Sequence, residues 1–240
     1  MIVQRAPLDS MTPVRTLAQT HPAMRKLTIL ALFAVISAPV FSQFNTKGRF
    51  HFSLGASVGG HATSIDQEFK IFGLTIANNE TGSAATLSLP IELGVGLGKA
   101  VSLGLAIEPG SYVPDTNNTD QKNAFAVVAL QPRFYILNKD RLAWSGTLQV
   151  GGAALRVKDD TKNATVDERY SGPAFGFGTA LHLGLSDRVG LDFHLRYLAT
   201  RMELRAREYN GNSTMDFYNA TLTTGGVIGQ LSLSFRFGGN

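Results

Sequence analysis

From Ala85 to Leu97 every odd position is apolar: Ala85, Leu87, Leu89, Ile91, Leu93, Val95 and Leu97. The even positions between them carry Thr86, Ser88, Pro90, Glu92, Gly94 and Gly96. After Lys99 and Ala100 the alternation resumes, with Val101, Leu103, Leu105, Ile107 and Pro109 set against Ser102, Gly104, Ala106 and Glu108. A period of two over runs this long predicts strands, and the short connection predicts an antiparallel hairpin. One face is large and apolar; the other is glycine, serine, alanine and carboxylate. The second face is too small and too polar to form the core of a water-soluble sheet. It suits a wall with lipid outside and a narrow polar lumen inside.

The same pattern recurs along the chain. A first strand, Arg49 to Thr63, sets Phe50, Phe52, Leu54, Ala56 and Val58 against His51, Ser53, Gly55, Ser57 and Gly59. A fourth, Ala124 to Leu137, turns Ala126, Val128, Leu130, Pro132, Phe134 and Ile136 outward and Gln131 and Arg133 inward. Trp144, Leu148 and Val150 mark a fifth, and Phe175, Phe177, Leu181, Leu183 and Leu185 a sixth with His182 on its inner face. A seventh places Val189, Leu191, Phe193, Leu195 and Tyr197 outside and Asp192, His194 and Arg196 inside. The eighth, Val227 to Phe237, opposes Leu231, Leu233 and Phe235 to Gln230, Ser232, Ser234 and Arg236. Connections alternate long and short, beginning with a long polar segment up to Ala84. The expected fold is all-β: an eight-stranded antiparallel transmembrane β-barrel of up-and-down topology. Aromatic residues support two interfacial girdles, with Phe50, Phe52, Phe134, Trp144, Phe235 and Phe237 at the turn end and Tyr112, Phe125, Phe175, Phe177 and Tyr197 at the loop end. A lipocalin-like cup would need large apolar residues pointing inward, which this pattern does not provide.

The N-terminal region follows a different logic. Met24-Arg25-Lys26 precedes an apolar run from Leu27 to Ile36, followed by Pro39 and by the small residues Val40 and Ser42. This is the layout of a secretory signal peptide cut before Gln43. Residues 1–23 then form an upstream segment, with Met24 the expected start; 24–42 are the signal peptide; 43–240 are the barrel domain. The formal charge is +4, but Arg5, Arg15, Arg25 and Lys26 lie in the removed part against Asp9 alone. The barrel region is nearly neutral and gives no reason to invoke nucleic acid. With no cysteine there is no disulfide framework, thiolate metal site or thiol nucleophile.

The signal peptide, the eight alternating strands and the terminal Leu231-Ser232-Leu233-Ser234-Phe235-Arg236-Phe237 resemble the small outer-membrane β-barrel families of the OmpA/OmpX type. The resemblance spans Arg49 to Phe237 and rests on architecture, not on a diagnostic string; Gly238-Gly239-Asn240 depart from the family habit of ending on an aromatic. It implies location in the bacterial outer membrane and folding by the barrel-assembly machinery. Members include adhesins, structural proteins, narrow channels and a few lipid-modifying enzymes.

Candidate chemistry lies in the lumen. A three-residue connection Lys99-Ala100-Val101 sets Glu92 opposite Glu108, and the same count across Ser186-Asp187-Arg188 sets His182 opposite Asp192. Arg133, Arg196 and Arg236 are all inward and within reach of these acids, so the expected lumen is a salt-bridged polar plug of Glu92, Glu108, Arg133, His182, Asp192, Arg196 and Arg236. Small inward residues such as Gly55, Gly94, Gly96, Gly176, Gly178 and Gly184 favour the rival reading, a narrow porin-like path for small solutes. A lipid-modifying enzyme comes third: a His–Asp dyad suits acid–base work, but no serine is tied to it by motif, and a filled barrel excludes substrate. No catalytic residue, cofactor or metal site is expected. Asp115, Asn117, Asn118 and Asp120 lack the glycine and distal glutamate of a calcium loop.

Outside the lumen, the face that is apolar up to Ala199 reads Arg201, Glu203, Arg205 and Arg207 further on, as a strand leaving hydrocarbon would. Those arginines are candidate contacts for outer-leaflet glycolipid phosphates. Phe69, Ile71, Phe72, Leu74 and Ile76 form an apolar stretch, either a protruding hairpin or a partner-binding surface. The expected protein is a monomer in contact with outer-membrane lipid, acting structurally or through its extracellular loops on an external ligand.

Overall fold

The computed structural model describes residues 43–114, 121–160 and 164–238. The signal peptide, the upstream segment, the acidic loop Asp115 to Asp120 and the last two residues lie outside the described residues. Ten strand segments follow in order: β1 Phe50–Ile71, β2 Leu74–Ser88, β3 Ile91–Gly96, β4 Val101–Pro114, β5 Gln121–Asn138, β6 Leu142–Asp160, β7 Thr165–Gly184, β8 Val189–Tyr209, β9 Asn212–Ser213 and β10 Tyr218–Phe237. Each wall pairs antiparallel with its neighbour, and β10 pairs with both β8 and β1, closing the barrel.

β2 and β3 are a single stave. Pro90, which has no N–H to give the ladder, interrupts them. The register nevertheless continues unchanged across it, from Ser88 opposite Gly110 to Ile91 opposite Ile107. Leu89 N–H donates to Pro109 O at 2.9 Å and Gly55 N–H to Pro90 O at 3.0 Å, holding the two halves in line. The barrel therefore has eight staves, and β9 belongs to the connection between β8 and β10.

The expected alternation is present where it was clearest. Leu87, Leu93, Leu103, Leu130, Ile136, Trp144, Phe193, Leu231 and Leu233 are all exposed on the outside of the wall, while Ser53, Ser57, Gln131, Gln149, Ser232 and Ser234 are buried inside it. A closed barrel with an apolar exterior and a hydrogen-bonded interior is stable only with lipid around it.

Three expectations need correction. Most of the long connections are strand. β1 runs to Ile71 and turns through Phe72 and Gly73 into β2, so the apolar stretch is a protruding hairpin in which Phe69 faces Ile76. Tyr112 and Phe125 are not girdle residues; both are buried inside, with ring centroids 6.2 Å apart. Finally, the lumen is polar only in its lower part. Val127, Leu155, Leu198, Met202, Leu204, Leu222 and Ile228 point inward and pack with Tyr112, Phe125, Tyr170 and Tyr218 into one apolar cluster. Toward the loop end the staves rise out of hydrocarbon, and there the inside becomes apolar while Arg201, Glu203 and Arg205 face out. The wall thus changes sense with height: lipid-facing below, water-facing above.

Candidate functional site

The lower lumen is built from inward positions of every stave. Its first unit is Glu92 of β3, which accepts from Arg133 of β5 in a buried ion pair and from Ser53 Oγ at 3.0 Å and Gln230 Nε2 at 3.1 Å. The second is Glu108 of β4, paired with Arg196 of β8 and approached by Gln149 Nε2 at 3.4 Å. The third is His182 of β7 opposite Asp192 of β8, with Nδ1 and Oδ1 2.9 Å apart. Buried charges in these numbers are tolerable because each carboxylate has a cation or several donors of its own.

The two glutamates do not face one another. Glu92 lies opposite Ala106, since Gly96 rather than Gly98 opposes Ser102. The connection is two residues longer than the expected register allowed: Leu97 and Gly98 N–H both donate to Val101 O, so Val101 opens β4 instead of closing the turn. Carboxylate repulsion is avoided by separate arginines. Arg236 also departs from expectation, since it pairs with none of the lumenal acids. It donates to Ser186 O at 2.6 Å and Asp140 O at 3.3 Å, and its guanidinium lies 4.4 Å from the Phe44 ring centre. It ties the turns of the barrel end together.

That end carries a feature the alternation could not reveal. Phe44 and Asn45 precede β1, have no period, and are buried in the mouth. The Phe44 ring contacts those of His182 at 4.8 Å and His51 at 5.7 Å. Asn45 donates from Nδ2 to Gly98 O at 2.7 Å and to Val101 O at 3.2 Å, and its Oδ1 is 3.1 Å from His51 Nε2. Asn138 accepts from Asn45 N–H at 2.8 Å and donates to Asn45 O at 2.7 Å. A side-chain carbon at Gly96 would lie 2.0 Å from Thr46 O, so glycine there admits the segment. An Asn-capped phenylalanine stopper closes the lumen.

Two of the inward glycines have no free space beside them. A Cβ on Gly55 would meet Ser232 Oγ at 2.1 Å, and one on Gly178 would meet Arg196 Cβ at 2.5 Å. Their smallness is used by the side chains that fill the lumen. In the charged zone a cavity of about 10 Å³, lined in part by His51, Glu92, Arg133 and Asp192, has room for about one water. Above it lies the apolar cluster, with Thr200 and Thr224 hydroxyls 2.9 Å apart between its Leu198 and Met202 levels.

At the top, Glu168 accepts from Tyr170 Oη at 2.7 Å and from Arg207 Nε at 2.9 Å, and the Arg207 guanidinium sits 4.0 Å over the Tyr218 ring. Burial, with the Glu168 charge adding to it, pushes the Tyr170 phenol well above its ordinary value, so it stays a neutral donor. Of the three candidate glycolipid arginines, Arg207 is thus held by Glu168 and Arg205 lies 3.1 Å from Glu203, while Arg201 is exposed on the outer face. Above Ala84 the β2 stave is exposed on both faces up to the tip at Phe72.

No protein-family model matches the chain, and no curated protein matches it in sequence. Among solved structures it is similar to the outer membrane protein OprG from Pseudomonas aeruginosa, with a TM-score of 0.55 and 13% identity over 81% of this chain and 98% of that one. Lower-scoring similarities include outer membrane protein AlkL, with a TM-score of 0.48 and 13% identity over 84% and 95% of the two chains. Ail, the attachment invasion locus protein of Yersinia pestis, gives 0.43 and 12% over 80% and 100%. At such identities the likeness to OprG speaks for fold alone. The chain shares the β-barrel fold of that outer membrane protein, and the apolar band on its exterior suits a surround of lipid.

Proposed function

We propose that this barrel works by contact and does not conduct: it anchors and presents the extracellular β1–β2 hairpin and neighbouring strand extensions to a ligand outside the cell. The observation that carries the reading is the closed lumen, stoppered by Phe44 and Asn45 below and filled by the Val127–Met202–Ile228 cluster above. A solute path would need both to move. At the other extreme of exposure, Phe72, Leu74 and Ile76 stand at the hairpin tip with 101%, 71% and 56% of their surface open. Apolar side chains held in water at the far end of a rigid support mark an interaction surface. The outward Arg201 and Arg205 lie where the wall meets the glycolipid headgroups and serve as its lipid contacts, with monomeric insertion by the barrel-assembly machinery.

A Ser–His–Asp line is present, since Ser145 Oγ lies 3.0 Å from His182 Nε2. All three residues are sealed from solvent, and Phe44 covers the histidine. Substrate has no approach, which supports a non-catalytic role.

The test pairs two measurements on the refolded barrel. Planar bilayers are expected to show no steady conductance, and deletion of residues 69–76 is expected to abolish binding to host-cell surfaces or to glycolipid. Reproducible conductance from the unaltered protein, lost on Gly94→Phe, would overturn this reading in favour of a narrow channel.

A further inference from the structure

Three metal-ligating side chains enter the lumen at one level. Asp192 and His194 are two apart on β8 and so share its inner face, and His182 stands across from Asp192 on β7. One ligand atom from each lies within 4.8 Å of the others. All three residues are buried.

Two features of this cluster are unexplained by the ion-pair network. His194 has a side chain only 1% exposed, yet neither of its ring nitrogens has a hydrogen-bond partner. Glu92 Oε1 is 3.8 Å from its Nδ1, and that carboxylate is already engaged by Arg133 and Gln230. An imidazole this deeply buried ordinarily satisfies at least one nitrogen. The second feature is the 2.9 Å approach of His182 Nδ1 to Asp192 Oδ1, which pairs imidazole with carboxylate but leaves Nδ1 outside good hydrogen-bond alignment. In the tautomer whose Nε2–H donates to Ser145 Oγ, Nδ1 presents its lone pair beside that carboxylate oxygen, the arrangement of two ligands sharing a cation.

Ligands about 2.0–2.2 Å from a common tetrahedral or octahedral ion stand roughly 3.0–3.5 Å apart, so this pair already approximates one edge of a coordination shell. The outer partners are also those of a metal site: Ser145 fixes the His182 ring, and Ser234 Oγ donates to Asp192 Oδ1 at 2.9 Å. Two imidazoles and one carboxylate favour a first-row transition ion over calcium or magnesium, which take oxygen ligands.

We propose that His182, Asp192 and His194 form a buried site for one divalent transition-metal ion of the zinc class, which cross-links β7 and β8 inside the lumen. Because Phe44 packs against His182, the ion is taken up as the barrel folds and is slow to leave afterwards.

The protein is unfolded in chelator, refolded into detergent with cobalt(II), and freed of loose metal by gel filtration. The expected result is one ion per chain, a visible ligand-field band, and displacement by zinc when zinc is present during refolding. Asp192→Asn and His194→Gln are each expected to weaken retention by about 100-fold, while His61→Gln, a lumenal histidine on β1 bonded to Thr86 at the height of Leu198, changes nothing. Heat-dependent gel mobility reports whether each variant has folded. If neither folds, NMR-active cadmium on the unaltered protein decides, with scalar coupling to ring nitrogens of His182 and His194 expected. A folded barrel that retains no ion, retention unchanged in a folded variant, or cadmium uncoupled from both rings overturns the proposal.

Discussion

Arg196 on β8 and Glu108 on β4 form a buried ion pair across the lumen, although 88 residues separate them in the chain. Neither touches its neighbour's stave through the backbone ladder, so the contact spans the barrel and braces it. Removing one partner leaves the other charged in a space with no water to receive it. Arg196→Met is expected to destabilise the barrel by about 3–5 kcal/mol, and adding Glu108→Gln to restore most of that loss. Adding Glu92→Gln instead restores nothing, because Glu92 belongs to Arg133. Urea midpoints in lipid bilayers measure all three; equal rescue by the two glutamate changes would show that the pairs exchange partners.

The hairpin tip stores backbone strain. Phe72 has φ 47° and Gly73 φ 79°, the same two-residue turn that Asn210 and Gly211 form with φ 49° and 81°. Asparagine-glycine is the ordinary choice for such a turn, whereas a bulky side chain pays about 1–2 kcal/mol for a left-handed conformation. Phe72→Asn is therefore expected to stabilise the tip by about 1 kcal/mol and slow amide exchange there about fivefold. If the ring is there for contact, the same change weakens ligand binding. Faster exchange would mean that the ring packs in water and holds the turn.

Acid is expected to loosen the β6–β7 extension first. The hydrogen bonds from Arg156, against an opposing effect of burial and with help from Arg169, hold the Asp167 carboxyl below its ordinary 3.8. A carboxylate with a depressed folded pKa stabilises above its unfolded pKa, and that contribution disappears as pH falls through the folded one. The loss therefore begins near pH 3.8 and is completed below it. Amide exchange at residues 156–160 and 165–169, compared between neutral and acidic buffer, is expected to accelerate in the native protein and much less in Asp167→Asn.

Legibility from the sequence followed the physics of each face. Where one face was lipid and the other polar, as along β3, β4 and β8, alternation located the strands and named Glu92, Glu108, Asp192 and Arg196 as lumenal. Along Ala124 to Leu130 both faces are apolar, since Val128 and Leu130 meet lipid while Val127 and Ala129 meet the inner cluster. A strand buried on both sides shows no alternation in hydrophobicity, which hid the upper core. Register at the β3–β4 turn was misjudged because a turn's length depends on its hydrogen bonds, here to Val101 O, and not on the period of its flanks. The Phe44–Asn45 stopper gave no periodic signal at all. Ser145 beside His182 was equally invisible, because only the pairing of β6 with β7 brings it there.

The reversal of the wall between Tyr197 and Arg201 works as a load line. Sinking the barrel by one inward-outward repeat would draw Arg201 and Glu203 into hydrocarbon; raising it would lift Phe175, Phe177 and Tyr197 into water. Either displacement costs free energy from several staves together, so draught and trim are both prescribed by the chain. The hairpin above is consequently carried at a set height over the membrane surface, its reach measured from the same mark.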